Sequence, residues 1–220
     1  MIMVRRRSKT LRSTLHKRDL ESIQRGTLAY TYKGIPCLKN PFDLAIYPLL
    51  ISRLRPRTII EIGSGSGGSA LWFRDLLTNL ELQSKIYSFD LNPVTNLIVE
   101  GVDFLYGDIH SLEKSALLDI LAKCERPLLV IEDGPHTYEG CKSAIEFFHP
   151  YMKTGEYIVI EDGIVHELGL EEYFDGPNRA IAEHIDKRSN CIIDRNLCDY
   201  YGQNFTWSTN GFLQYVKDSE

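Results

Sequence analysis

Apolar residues along this chain gather in short continuous runs, separated by longer segments in which they recur every three or four positions. Strands and helices in alternation produce that pattern. The runs predict strands at Thr58–Ile62, Ile86–Phe89, Val102–Tyr106, Leu128–Ile131 and Tyr157–Ile160, with closing strands at Cys191–Asp194 and Phe212–Val216. Helices are predicted over residues 10–26, with Gly26 as the stop, and over Phe42–Leu54, ended by Pro56. Further helices are expected at Ser69–Leu80, at Ser111–Lys123, between the fourth and fifth strands, and at Glu171–Asp186. The alternation implies an α/β fold with a doubly wound, mostly parallel sheet. No linker splits it, so the reading is a basic N-terminal arm or helix over 1–26 and one domain over 27–220.

The stretch from Leu128 to Gly163 carries the most chemistry. Both of its apolar runs end in Glu-Asp-Gly, and the helix between them has apolar Ala144, Ile145, Phe147 and Phe148. A strand, crossover helix and strand put both endings on the carboxyl rim of a parallel sheet, where functional loops gather. Asp133, Glu161 and Asp162 would emerge side by side there, with His136 three residues past the first. Such carboxylates repel one another unless a cation sits between them, and an all-oxygen set suits a hard ion, Mg²⁺ before Ca²⁺ or Mn²⁺.

The first strand runs directly into Gly63-Ser-Gly65-Ser-Gly67-Gly68 and then a helix, an arrangement that holds anionic or nucleotide ligands. Gly63, Gly65 and Gly68 satisfy the dinucleotide fingerprint, while Glu61, Gly63, Gly65 and Gly67 form the pattern of S-adenosylmethionine (SAM) enzymes. Both ligands carry an adenosine whose ribose hydroxyls suit Asp90, at the end of the next strand, and Asp108 follows the strand after that. The acidic rim separates the two readings. Hydride transfer to nicotinamide needs no such cluster, whereas methyl transfer to a hydroxyl gains from a cation that lowers the hydroxyl pKa and from a base such as His136.

Composition narrows this little further. Hydrophobic residues are 43% of the 220 and charged ones 25%, an ordinary globular balance. No apolar run approaches the ~20 residues of a membrane span, and residues 1–18 lack the apolar stretch of a signal peptide. Five scattered cysteines without a CxxC read as reduced thiols of a cytoplasmic protein. The formal charge of −5 divides into +7 over residues 1–18 and −12 over the rest. An acidic body, with no aromatics interleaved among the basic residues, argues against a nucleic-acid partner.

Several ordered pieces resemble the cephalosporin hydroxylase family, which includes the rhamnosyl O-methyltransferases. They are Lys33-Gly-Ile-Pro-Cys-Leu-Lys-Asn-Pro-Phe-Asp43, Leu54-Arg-Pro56, Ile60-Glu61-Ile-Gly63, Gly67-Gly68-Ser69-Ala70, and Trp207-Ser-Thr-Asn210-Gly211-Phe-Leu213. The resemblance implies a Rossmann-like class I methyltransferase fold, seven-stranded with its last strand antiparallel, and it implies SAM and Mg²⁺ as cofactors. It also implies Asp133, Glu161 and Asp162 as metal ligands and His136 as catalytic base.

The resulting expectation is a Mg²⁺- and SAM-dependent O-methyltransferase. Its acceptor would be a hydroxyl of a sugar, polyhydroxylated natural product or glycan, and a homo-oligomer would be compatible. The rivals are an NAD(P)-dependent oxidoreductase and a non-catalytic accessory subunit. Tyr30–Pro41 and Ile164–Asn178, with Tyr173 and Phe174, are candidate lid segments. Asn204, Trp207 and Asn210 are expected to brace the sheet.

Overall fold

In the computed structural model, which describes residues 9–173 and 175–217, a seven-stranded sheet carries helices on both faces. The chain begins with α1 (Lys17–Ala29) and a small antiparallel hairpin, β1 (Thr31–Tyr32) and β2 (Ile35–Pro36). It continues through α2 (Pro41–Leu54), β3 (Thr58–Ile62), α3 (Gly68–Asn79), β4 (Lys85–Asp90), β5 (Val102–Tyr106) and α4 (Leu117–Lys123). Then follow β6 (Leu128–Glu132), α5 (Tyr138–Phe148), β7 (Tyr157–Ile160), α6 (Val165–Leu168), α7 (Gly176–Lys187), β8 (Cys191–Ile193), α8 (Arg195–Cys198) and β9 (Phe212–Tyr215).

The strand order is β5-β4-β3-β6-β7-β9-β8. Strands β3 to β7 run parallel, and the last strand, β9, inserts antiparallel between β7 and β8. Strands β3 and β6 lie at the centre, covered on both faces, and every residue in them is buried. That is why they read as unbroken apolar runs. The chain reverses direction across the sheet between β3 and β6, and the loops after those strands share one crevice, the usual ligand position in such folds.

Three helix expectations need correction. Residues 9–16 are not helical. This segment lies as an extended strap, with Thr14 N–H donating to Gln203 O at 3.1 Å and Leu11 N–H to Asn210 Oδ1 at 2.9 Å. The helix starts at Lys17 and runs through Gly26 to Ala29, so position 26 is not a structural boundary. A single helical glycine costs about 1 kcal/mol relative to alanine, which packing offsets.

The helix foreseen from Ser111 is a 3₁₀ turn at Leu112–Lys114 followed by α4. Ser115 divides them: its hydroxyl donates to Leu112 O at 2.6 Å and accepts from Leu117 N–H at 3.2 Å, a local alternative to helix continuation. The helix foreseen from Glu171 begins at Gly176, because Asp175 takes a left-handed φ of 56° and Pro177 then starts the helix afresh.

Candidate functional site

The loops after β3, β6 and β7 converge. Gly63 has φ 100°, and a β-carbon there would fall 2.0 Å from the carbonyl oxygen of Asp133, so only glycine lets the two loops touch. Gly65 (φ 49°) donates its N–H to Asp90 Oδ2 at 3.1 Å, and Gly67 (φ 83°) leads into α3. The loop borders an open cleft of about 660 Å³ whose walls include Gly34, Pro36, Ser66 and Asn96. A β-carbon on Gly68 would meet the carbonyl oxygen of Pro36 at 2.1 Å, so the β1–β2 hairpin packs directly on this loop.

The sequence-predicted cofactor residues divide. Gly63, Gly65, Gly67 and Asp90 surround the cleft-side loop. Asp108 lies after β5, half-buried, with its carboxylate accepting from His110 N–H at 2.9 Å. Glu61 is fully buried beneath the loop and accepts from the hydroxyls of Ser69 (2.5 Å) and Ser88. Burial raises its pKa against the opposing pull of Lys39 and the two serines. It therefore shapes the loop from below.

On the neighbouring rim, donor atoms of Asp133, His136 and Asp162 all lie within 4.8 Å of one another. His136 Nε2 is 3.1 Å from Asp162 Oδ2, while His136 Nδ1 is buried with no hydrogen-bond partner. Both residues hold left-handed backbones (φ 53° and 55°), which cost non-glycine residues on the order of 1–2 kcal/mol each and concentrate at functional sites. The bends are held by their surroundings. Thr137 caps α5 by accepting from Gly140 N–H at 3.2 Å, and a β-carbon on Gly176 would strike Tyr138 N at 2.5 Å, so the start of α7 presses on the His136 loop. The ring of Tyr173 stands 5.9 Å from that of His136, which puts part of the foreseen lid segment at the site. Phe174 lies outside the described residues.

Electrostatics favour a cation here. The carboxyls of Asp133 and Asp162 both sit above the usual range. Burial is the main cause, and neighbouring acids add to it. Burial alone would pull the His136 imidazole down, but Asp162, Asp133 and Glu132 carry its pKa above the ordinary value. A divalent ion would reverse the penalty on the acids. Two carboxylates supply hard oxygen donors for Mg²⁺, whereas the imidazole nitrogen suits a base better than a Mg²⁺ ligand. The residues present therefore fit a metal and a base side by side.

Glu161 sits one step behind this group. Its Oε1 accepts from Tyr47 Oη at 2.5 Å and its Oε2 from Lys39 Nζ at 2.6 Å. The same ammonium donates to Asp133 Oδ2 at 2.6 Å. Lys39 is buried, and although burial would lower its pKa, Asp133 and Glu161 hold it well above normal, so it is charged. Sequence reasoning missed Lys39 and Tyr47. The usable signal was the short run Lys39-Asn40-Pro41, in which Asn40 caps α2 by accepting from Phe42 and Asp43 N–H and so fixes the residue before it.

Asn204, Trp207 and Asn210, expected to brace the sheet, instead brace the N-terminal strap and α1. Trp207 packs with Leu20 and Ile164 and donates to Gln24 Oε1 at 2.5 Å. Asn204 and Asn210 both donate to Leu11 O, at 2.7 and 2.9 Å.

Comparison with known proteins points to one family and one fold. A family model described as Rhamnosyl O-methyltransferase/CmcI matches residues 25–216. A Rhamnosyl O-methyltransferase of Mycobacterium leprae (strain TN) is 28% identical over 189 residues, covering 83% of this chain and 82% of that protein. Its counterpart in Mycobacterium bovis (strain BCG / Pasteur 1173P2) is 28% identical over 194 residues, at 83% and 77% coverage. In fold, the chain is similar to a solved structure of CmcI with Mg and SAM, with TM-score 0.67, 24% identity, and 86% and 78% coverage.

Proposed function

The chain belongs to the Rhamnosyl O-methyltransferase/CmcI family, and from that premise we propose that it is a Mg²⁺- and SAM-dependent O-methyltransferase. Its acceptor is a hydroxyl of a sugar, or of a polyhydroxylated natural product or glycan, in keeping with the relatives' description as rhamnosyl O-methyltransferases. One observation carries the reading: the glycine loop and the Asp133–His136–Asp162 group touch, through Gly63 and Asp133. A methyl donor and an activated hydroxyl must meet at such a junction.

The residues divide the work. Gly63, Gly65 and Gly67 would cradle the cofactor, with Asp90, which accepts from Gly65 N–H, to receive its ribose hydroxyls and Asp108 to meet its adenine. Asp133 and Asp162, with Glu161 joined to Asp133 through Lys39, would hold the ion. When bound, Mg²⁺ would lower the pKa of a ligated acceptor hydroxyl, and SAM would supply the methyl group. His136, whose ring lies beside Asp162, would take the hydroxyl proton. Tyr173, its ring beside that of His136, would help shield that step from water.

The test is mass spectrometry of candidate glycosides incubated with the protein, SAM and Mg²⁺. Gain of one methyl by a glycoside, lost on adding EDTA, is the expected result. Methylation that persists unchanged in EDTA would remove the metal from the reading.

A further inference from the structure

We propose that Asn178 is a positioning residue for Asp162, and that the N-terminal strap is the outer end of the hydrogen-bond relay that holds it in place. This role rests on the metal-dependent reading above and deepens it.

Asp162 needs support from outside its own loop. Its left-handed backbone (φ 55°) lies between two anchored peptides. On one side, Glu161 N–H donates to Glu132 O at 2.9 Å, across the sheet. On the other, the Gly163 carbonyl accepts from Asn178 Nδ2 at 2.6 Å, and Ile164 N–H donates to Trp207 O at 3.1 Å. Gly163 fills this seat tightly, since a β-carbon there would fall 2.5 Å from Thr209 Oγ1.

The relay runs outward from there. Asn178 Oδ1 accepts from Asn210 Nδ2 at 2.7 Å. Asn210 then grips Leu11 twice, accepting its N–H and donating to its carbonyl, each at 2.9 Å. Backbone groups at both ends fix the direction of the relay. Gly163 offers a carbonyl, so the amide nitrogen of Asn178 must face it and the amide oxygen must face Asn210. Asn178 is buried, and its amide is engaged on both sides, so its influence on the site passes through the Asp162 turn.

Helix α7 gives the relay its leverage. Two residues before Asn178, Gly176 packs on the His136 loop, where a β-carbon would meet His136 O at 2.6 Å. The first turn of α7 therefore seats both loops at once. The 3.1 Å approach of His136 Nε2 to Asp162 Oδ2 depends on that shared seat.

Mn²⁺ binding, followed by electron paramagnetic resonance of the free ion, and SAM binding, followed by calorimetry, test this on the full chain. Asn178→Ala should weaken Mn²⁺ binding about 10- to 100-fold, as loss of a residue that orients a ligand does, and leave SAM affinity unchanged. Leu11→Pro removes the N–H that Asn210 accepts and keeps the carbonyl. It should weaken Mn²⁺ binding about two- to tenfold, the range of one hydrogen bond. Combined with Asn178→Ala that effect should vanish, because the relay is already cut. A merely structural strap would give the same loss in both backgrounds, with no selectivity for the ion over SAM.

A folded Asn178→Ala that binds Mn²⁺ as tightly as wild type would overturn the assignment. So would parallel losses of Mn²⁺ and SAM, or a Leu11→Pro effect undiminished in the double variant. Should Asn178→Ala fail to fold, Leu11→Pro decides alone: weaker Mn²⁺ with unchanged SAM supports the relay, and unchanged Mn²⁺ overturns it. A wild-type chain that binds SAM but no Mn²⁺ would remove the metal reading and the relay's role with it, a result distinguishable from the others.

Discussion

The carbonyl oxygen of Asp133 lies 2.0 Å from where a β-carbon on Gly63 would stand. No rotamer relieves that clash, because both atoms belong to backbone. Gly63→Ala must therefore part the cofactor loop from the acidic loop, and methyl transfer should fall at least ~100-fold, as a misplacement of about 1 Å at a reacting centre does. Gly65→Ala is the control: its φ of 49° costs on the order of 1–2 kcal/mol, but nothing lies within 4 Å of the new carbon. Thermal unfolding should show Gly65→Ala folded and Gly63→Ala the more damaged of the two.

Asp133→Asn and Asp162→Asn should abolish turnover while SAM affinity, measured calorimetrically, changes little. Neither side chain lines the glycine-loop cleft. Loss of SAM binding in step with activity would show that the carboxylates serve the fold or the cofactor instead.

His136→Gln should reduce kcat by roughly 10²–10⁴, the range for removal of a general base, with little change in acceptor KM. Glutamine keeps a polar side chain beside Asp162 but accepts no proton near neutral pH. A variant as active as wild type would leave the base unassigned.

His184 makes stability depend on pH away from the site. It is buried between α5 and α7, its ring 5.0 Å from that of His149, and its Nε2 has no partner. Burial, followed by the charges of His149, Arg188 and Lys187, pushes its pKa down to about 4. A depressed folded pKa means the unfolded chain binds the proton more readily. The contribution is therefore fully present above pH ~6.5 and is lost as pH falls through about 4. Allowing for partial screening, it amounts to about 2 kcal/mol. Urea unfolding at pH 7 and pH 4.5 should show a smaller difference in His184→Leu than in wild type.

Asp43 organises the closing segment. Its carboxylate accepts from Asn40 Nδ2 (2.6 Å), Trp207 N–H (3.2 Å), Ser208 Oγ (3.3 Å) and the Thr206 hydroxyl. Asp43→Ala leaves these buried donors unpaired and should cost roughly 3 kcal/mol in urea unfolding. A loss under 1 kcal/mol would mean that water replaces the carboxylate.

The sheet was legible because β3 and β6 are covered on both faces, and that leaves unbroken apolar runs in the sequence. Asp133, Asp162 and His136 were legible because strand ends in a parallel sheet share one rim. Lys39 was not. It lies 94 and 122 positions from the acids it joins, and a lone lysine before a helix cap looks like an ordinary surface residue. The strap over residues 9–16 escaped for a related reason. Its backbone partners lie more than 150 positions away, so a polar stretch with helix-forming residues gave no local hint of extension. The breaks at Ser115 and Asp175 depend on side-chain and backbone competition within single turns, where residue patterns have little resolving power.

That strap also has a bearing on synthesis at the ribosome. Leu11 emerges long before its anchors, Asn204 and Asn210, which follow it by 193 and 199 positions. The strap must wait, undocked, until those asparagines have emerged, and its docking closes a loop of 193 to 199 positions. Nascent chains halted before Asn204 should therefore leave the strap open to protease while the central strands are already protected.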